Sequence, residues 1–164
     1  MTATKPLKIL FLHGLEGTPT GSKPTHLSEE GHLVVAPVLG KDDFTVSLKI
    51  AEKYAKECEP DLIVGSSRGG ALAAAMDRNG AKAILIAPAW KKFGSNTCLD
   101  KDTIILHSVH DDIVPVEDSR ELAKKFGCTL IECGDNHRMR DVEAFAFLDG
   151  ATETISEALA DVNK

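Results

Sequence analysis

A sharp glycine-rich turn near the middle of the chain constrains the fold more than any other feature. Residues 65–69 read GSSRG, an instance of the pattern G-x-S-x-G. The apolar segment 61–64 leads into this turn, and the small residues of 70–76 lead out of it. The pattern predicts a strand, a tight turn with Ser67 at its apex, and a helix. Glycines are needed there because the backbone of the serine is strained.

The pentapeptide alone is modest support for this prediction, because chance produces it in roughly 5% of chains of similar length and composition. Its position between a strand and a helix is much rarer. A glycine-rich turn that binds phosphate at a helix N-terminus is the alternative interpretation of this segment.

The length of 164 residues predicts one domain, residues 1–164, with a core of its own. A formal net charge of −6 argues against a general nucleic-acid or anionic-membrane binder. No apolar run approaches the length of a membrane helix, and the N-terminal segment lacks the apolar stretch of a signal peptide. We therefore expect a cytoplasmic protein without membrane or nucleic-acid partners.

Four cysteines occur without a C-x-x-C pair or a matching set of metal ligands, so we expect reduced thiols and no metal site. They are Cys58, Cys98, Cys128 and Cys133.

Apolar runs alternate with helical patterns along the whole chain. Strands are predicted at 7–12, 32–37, 61–64, 82–87, 103–109 and 128–133. Helices are predicted at 23–30, 45–58 with Thr45 as its cap, 67–78 ended by Asn79-Gly80, 116–126, and 141–162 with a break near Gly150. Residues 89–102 are predicted to be irregular. Continuous apolar strands separated by helices indicate an α/β fold, a doubly wound three-layer sandwich of about six mainly parallel strands with helices on both faces.

Polar residues follow four of the predicted strands, each at the point where its strand ends. In such sheets ligands bind beyond the carboxyl ends of the strands, so these groups are expected to lie at one edge. They are 13–17, Ser67, 110–112 and 135–137.

Four stretches together resemble the alpha/beta-hydrolase superfamily, and in particular its small, lidless, esterase-like bacterial members. They are His13-Gly14, the turn 65–69, the loop 107–115 and the segment 134–137, which together span most of the chain. These motifs are fairly specific for the superfamily and unspecific for its substrates.

The resemblance implies a catalytic serine, acid and histidine in that chain order. Ser67 is then the nucleophile and His137 the base, since no other histidine follows the acid candidates. The loop 107–115 resembles the family pattern H-G-x-x-D-x-x-V-P, which places the acid at Asp111, with Asp112 as the alternative. Ser108 stands where that pattern has glycine.

The resemblance also implies an oxyanion hole formed by the backbone N–H groups of Leu15 and Arg68. His13 and Gly14 belong to the same loop as Leu15, and His13 is expected either to brace this loop or to contact substrate.

The implied activity is hydrolysis of small carboxylic esters or thioesters through an acyl-enzyme, without metal or organic cofactor. The short stretch between the fourth and fifth strands leaves little room for a lid, which favours short acyl groups. The alternative is a non-catalytic binding module whose partner surface includes Trp90 and Phe93. Arg68, Arg138 and Arg140 raise the hypothesis of an acidic substrate; the alternative is that they are ordinary surface charges.

Overall fold

The computed structural model describes residues 5–41, 43–93 and 96–162. Strands and helices alternate as predicted. In chain order they are β1 (Lys8–Leu12), α1 (Ser22–Glu29), β2 (Leu33–Val35), α2 (Phe44–Cys58), β3 (Leu62–Ser66), α3 (Arg68–Ala75), β4 (Lys82–Ile86), α4 (Trp90–Phe93), β5 (Ile104–His107), α5 (Val116–Phe126), β6 (Thr129–Glu132) and α6 (Val142–Val162).

Within the described residues, six strands form one parallel sheet in the order β2-β1-β3-β4-β5-β6. Val64 in β3 lies opposite Phe11 on one side and Ile84 on the other. The strand order reverses between β1 and β3, and ligands of open parallel sheets bind at such a point. The turn at Ser67 and the loop at Gly14 begin there.

Both faces of the sheet are covered, because alternate residues of each strand point to opposite sides. Ile9 and Phe11 pack toward α1 and α6, whereas Leu10 and Leu12 pack toward α2, α3 and α5. The predicted three-layer arrangement is therefore confirmed. No helix in the described ranges is long and apolar enough to cross a membrane.

Several predicted boundaries were wrong. Helix α6 runs through Gly150 without a break, since its buried residues on both sides of the glycine pack on the sheet. Helix α3 ends at Ala75, before Asn79-Gly80, because Met76 adopts an extended conformation. Asp43 caps α2 by accepting a hydrogen bond from the backbone N–H of Thr45, so Thr45 is not the cap. The segment predicted to be irregular contains the short helix α4.

Candidate active site

The turn between β3 and α3 is as tight as its glycines predict. Ser67 has a φ of 56° and a ψ of −114°, a strained conformation for a residue with a side chain. A Cβ at Gly65 would overlap the carbonyl of Gly69, and a Cβ at Gly69 would overlap the carbonyl of Leu12. The turn therefore closes on itself and packs directly against the end of β1.

Ser67, His137 and Asp111 lie in one hydrogen-bonded chain, although they come from three different loops. The Oγ atom of Ser67 lies 3.0 Å from Nε2 of His137. The Nδ1 atom of His137 lies 2.6 Å from Oδ2 of Asp111. An ionised carboxylate only accepts, so Nδ1 carries the hydrogen and Nε2 is left to accept a proton from Ser67. The predicted alternative, Asp112, is exposed and is not one of these three hydrogen-bonded residues.

The carboxylate of Asp111 is held by its own loop as well as by His137. Its Oδ1 atom accepts the backbone N–H groups of Ile113 and Val114, each at 2.8 Å. Burial favours the neutral acid, but the hydrogen bonds from Val114, His137 and Ile113 outweigh it and lower the pKa of Asp111 below its ordinary value. Asp111 is therefore ionised at neutral pH, as a partner of His137 must be.

His107 supports the same carboxylate and was missed in the sequence analysis as a site residue. Its Nε2 atom lies 3.0 Å from Oδ2 of Asp111 and 2.9 Å from the carbonyl of Val114. Both of these are acceptors, so Nε2 carries a hydrogen. Its Nδ1 atom lies 2.6 Å from the hydroxyl of Ser119. The sequence signal for it was its place as the first residue of the family pattern in the loop 107–115, four residues before Asp111.

Ser108, which replaces a glycine of the family pattern, connects two loops. It is fully buried. Its hydroxyl donates to the carbonyl of Gly134 at 2.9 Å and accepts the backbone N–H of His110 at 3.0 Å. The loop that carries Asp111 is thereby tied to the loop that carries His137.

The loop after β1 lies directly beside Ser67. A Cβ at Gly14 would lie 3.2 Å from Cβ of Ser67. His13 is buried and both ring nitrogens meet backbone groups: Nδ1 lies 2.7 Å from the carbonyl of Gly14, and Nε2 accepts the N–H of Leu39 at 3.0 Å. His13 therefore braces this loop. No hydrogen bond to the backbone N–H of Leu15 occurs within the part of the chain that the structure describes.

The side chain of Arg68 is buried and does not line the cavity that opens in front of Ser67, so it is not an ordinary surface charge and does not face a substrate there. Its Nη1 atom donates to the carbonyl of Gly40 at 3.0 Å and to the hydroxyl of Ser47 at 3.1 Å. The guanidinium lies 5.5 Å from each of the ring centroids of Phe44 and Phe93. Arg68 thus anchors α3 to neighbouring elements.

Trp90 and Phe93, the proposed partner surface, are anchored to the fold. The indole N–H of Trp90 donates to the carbonyl of Asp118 at 2.9 Å, and Phe93 stacks on Phe44. Residues 94 and 95 of this segment lie outside the described residues.

A cavity of about 800 Å³ opens in front of Ser67. Its apolar wall includes Phe11, Leu15, Ile113 and Pro115. Five basic side chains also line the cavity: Lys23, Lys91, Lys92, Arg138 and Arg140. Its volume suits a small organic molecule.

The four cysteines are free thiols. One group among the described residues has metal-ligand geometry: His26, Glu30 and Asp149 place ligand atoms within 4.8 Å of one another, outside the cavity. His26 already pairs with Asp149.

The fold is shared with several solved structures at low sequence identity. A protein of Xanthomonas campestris pv. campestris, described as a hydrolase of the alpha/beta superfamily, is 22% identical with a TM-score of 0.73, over 94% of this chain and 99% of that one. Est1E from Butyrivibrio proteoclasticus with ferulic acid bound is 19% identical with a TM-score of 0.73, over 97% and 91% of the two chains. A YdeN-like hydrolase of Pectobacterium atrosepticum is 16% identical with a TM-score of 0.71, over 96% and 94%.

A scan against protein-family models found no match, and a search of curated proteins found none either. The structural likeness extends over nearly the whole chain and includes the six-stranded parallel sheet with helices on both faces. The chain therefore has the fold of a small alpha/beta hydrolase.

Proposed function

We propose that this protein is a serine hydrolase that cleaves small carboxylic esters or thioesters through an acyl-enzyme. The observation that carries the proposal is the hydrogen-bonded chain from Ser67 through His137 to Asp111 at the mouth of a cavity. A nucleophile, a base and a group that orients the base are the minimum that this chemistry needs.

In the proposed reaction, Ser67 Oγ attacks the carbonyl carbon while Nε2 of His137 takes the hydroxyl proton. Asp111 stabilises the imidazolium through Nδ1. The tetrahedral intermediate collapses, and the alcohol or thiol leaves with the proton from Nε2. Water then attacks the acyl-enzyme and gives a proton to Nε2. The carboxylic acid is released as Nε2 returns a proton to Ser67. A protonated His137 lacks the lone pair for the first step, so activity falls in acid.

The backbone N–H groups of Leu15 and Arg68 are proposed to stabilise the oxyanion. Both residues lie near Ser67: Leu15 follows Gly14, which packs against the side chain of Ser67, and Arg68 directly follows Ser67 at the start of α3. Loss of one such donor typically costs a factor of about 10²–10³ in rate.

Small substrates are favoured by the architecture and by one structural neighbour. Between β4 and β5, the described residues contain only the four-residue helix α4, so no lid covers the cavity there. Est1E, which shares the fold, binds ferulic acid, a small carboxylic acid. We expect short-chain 4-nitrophenyl esters to be hydrolysed faster than long-chain ones.

A fluorophosphonate probe, which phosphonylates activated serines with loss of fluoride, tests the proposal. We expect labelling of the wild type and no labelling of Ser67→Ala, with hydrolysis of 4-nitrophenyl acetate lost by a factor of at least about 10³. Ser66→Ala is the matched control, since it removes the adjacent hydroxyl, and it should still be labelled. Folded wild-type protein that neither reacts with the probe nor hydrolyses any ester of the series would favour a non-catalytic binding module instead.

A further inference from the structure

Three basic side chains form a cluster at the edge of the cavity next to His137. Lys23 lies in the first turn of α1, and Arg138 and Arg140 follow His137 in its loop. All three line the cavity that contains Ser67. The cluster lies beside the reacting groups, within reach of a small substrate.

Lys23 is the buried member of this cluster. Its side chain is only 9% exposed, and its Nζ atom donates a hydrogen bond to the backbone carbonyl of Arg138. Burial, followed by the charges of Arg140 and Arg138, lowers the pKa of Lys23 to about 8. Keeping Lys23 charged costs folding free energy, because the ammonium is buried and lies near two other positive charges.

No acidic side chain in the described ranges forms an ion pair with any of the three. Lys91, which also lines the cavity, differs because it pairs with Asp118 and Glu121. Asp141, in the same loop as the two arginines, is bonded to backbone N–H groups of Asp135 and Ala144. The exposed carboxylate of Glu16 lines the cavity without pairing with the cluster.

The cavity is basic in a chain that is acidic overall. Five of the 19 Lys and Arg residues line it, against two of the 25 Asp and Glu residues. A cleft lined by one sign of charge concentrates ligands of the opposite sign. An anion in the cluster would relieve the repulsion among Lys23, Arg138 and Arg140.

We propose that the substrate carries a carboxylate or phosphate group in addition to the bond that is cleaved, and that Lys23, Arg138 and Arg140 bind this anionic group. The inference rests on the proposed serine hydrolysis and adds the class of substrate. Guanidinium groups bind carboxylate and phosphate with two parallel hydrogen bonds, and an ammonium adds a point charge. The sequence raised an acidic substrate from Arg68, Arg138 and Arg140. Here Arg138 and Arg140 keep that role, Lys23 joins them, and Arg68 is left out because its buried side chain does not line the cavity.

A matched pair of esters tests this proposal. Mono-4-nitrophenyl adipate carries a free carboxylate, and its methyl ester is the neutral counterpart with the same leaving group. The quantity measured is the ratio of kcat/KM for the anionic ester to that for the neutral ester. We expect this ratio to fall roughly tenfold in the double variant Arg138→Gln/Arg140→Gln. It should also fall at high salt in the wild type, because salt screens exposed charges.

The double variant Lys49→Gln/Lys53→Gln is the control, since it removes the same net charge from α2, outside the cavity. It should keep the wild-type ratio. Lys23→Met removes the buried charge and should lower the ratio as well. Inorganic phosphate and adipate, tested as competitive inhibitors, distinguish the two anions: the stronger inhibitor identifies the group that the cluster prefers.

Two failures are distinguishable. If Ser67 is labelled and both esters are hydrolysed, but the Arg138→Gln/Arg140→Gln ratio equals that of the wild type, the anionic-substrate proposal is wrong and serine hydrolysis stands. If Ser67 is not labelled and neither ester is cleaved, the proposed function itself fails and takes this inference with it.

Discussion

The two loops that meet at the hydroxyl of Ser67 are held in place by different means. The elbow, residues 65–69, is fixed by close backbone contacts: Gly65 lies against the carbonyl of Gly69, and Gly69 lies against the carbonyl of Leu12 at the end of β1. The histidine loop, residues 133–141, is fixed by side chains from other elements. Lys23 binds the carbonyl of Arg138, and Ser108 binds the carbonyl of Gly134.

This difference explains why the elbow leaves a full pattern in the sequence, whereas the histidine loop resembles the family only in the short segment 134–137. Backbone contacts across five residues demand glycine at fixed positions, and such a requirement leaves a pattern. The side-chain contacts of Ser108 and Lys23 with the histidine loop span 26 and 115 residues, and they require no local sequence pattern. We therefore expect even small substitutions in the elbow to destabilise the fold strongly. Substitutions around the histidine loop should cost less stability and should lower activity by displacing His137.

The largest effect is expected for Gly69→Ala. The added Cβ would overlap the backbone carbonyl of Leu12 in β1, which is paired with strands on both sides, so the backbone there cannot shift without disturbing the sheet. We expect the free energy of unfolding to fall by on the order of 3 kcal/mol or more, measured by urea denaturation.

Gly150→Ala is the matched control, because a Cβ at Gly150 in α6 meets no atom within 4 Å. This variant should gain about 0.5–1 kcal/mol through higher helix propensity. Equal stability of the two variants would mean that the close approach of the elbow to β1 is not required.

Met139→Ala should produce the next largest effect. Met139 is 2% exposed and anchors the histidine loop in the core, two residues from His137. Its truncation should cost about 2–4 kcal/mol and lower kcat, because the imidazole loses its fixed position. Met76→Ala, 5% exposed on the opposite face of the sheet, should cost a similar free energy without lowering kcat. The same loss of kcat in both variants would contradict a local role for Met139.

A smaller effect is expected for Ser108→Ala. The substitution leaves the carbonyl of Gly134 and the N–H of His110 without this buried partner, which costs about 1–2 kcal/mol. Thr154→Ala removes an exposed hydroxyl on α6 and should change stability by less than about 0.5 kcal/mol. Thermal unfolding of both variants checks this, and an unchanged midpoint for Ser108→Ala would show that the bridge between the loops is dispensable.

The smallest expected effect is on how the contribution of Asp111 to stability changes at acid pH. The folded pKa of Asp111 lies below its ordinary value, so on acidification the unfolded chain binds this proton first. The contribution of Asp111 is complete above the ordinary pKa of about 4 and is lost as the pH falls through the lowered folded value. The stability difference between wild type and Asp111→Asn should therefore narrow at low pH in urea titrations. A difference that stays constant down to acid pH would contradict an ionised Asp111 in the fold.

Much of the architecture could be predicted from local pattern. The four inner strands were found because each is a buried apolar run, and the edge strands β2 and β6 were found from short apolar stretches that are only partly buried. Their parallel arrangement followed from the helices between them. Helix ends were less predictable: Gly150 weakens a helix by itself, but packing of α6 on the sheet outweighs this cost. Ser67, Asp111 and His137 were selected by motif and chain order, and their roles remain predictions.

What the sequence determined by itself was the elbow, since a strained turn packed against β1 admits almost only glycine around Ser67. The tertiary structure alone decided where the long side chains lie. Arg68, beside the serine in sequence, is buried next to the stacked rings of Phe44 and Phe93, whereas Lys23 reaches the carbonyl of Arg138 across 115 residues. The physical reason is that steric limits on the backbone act between neighbours in the chain, whereas the direction of a flexible cationic side chain depends on the groups that folding brings around it.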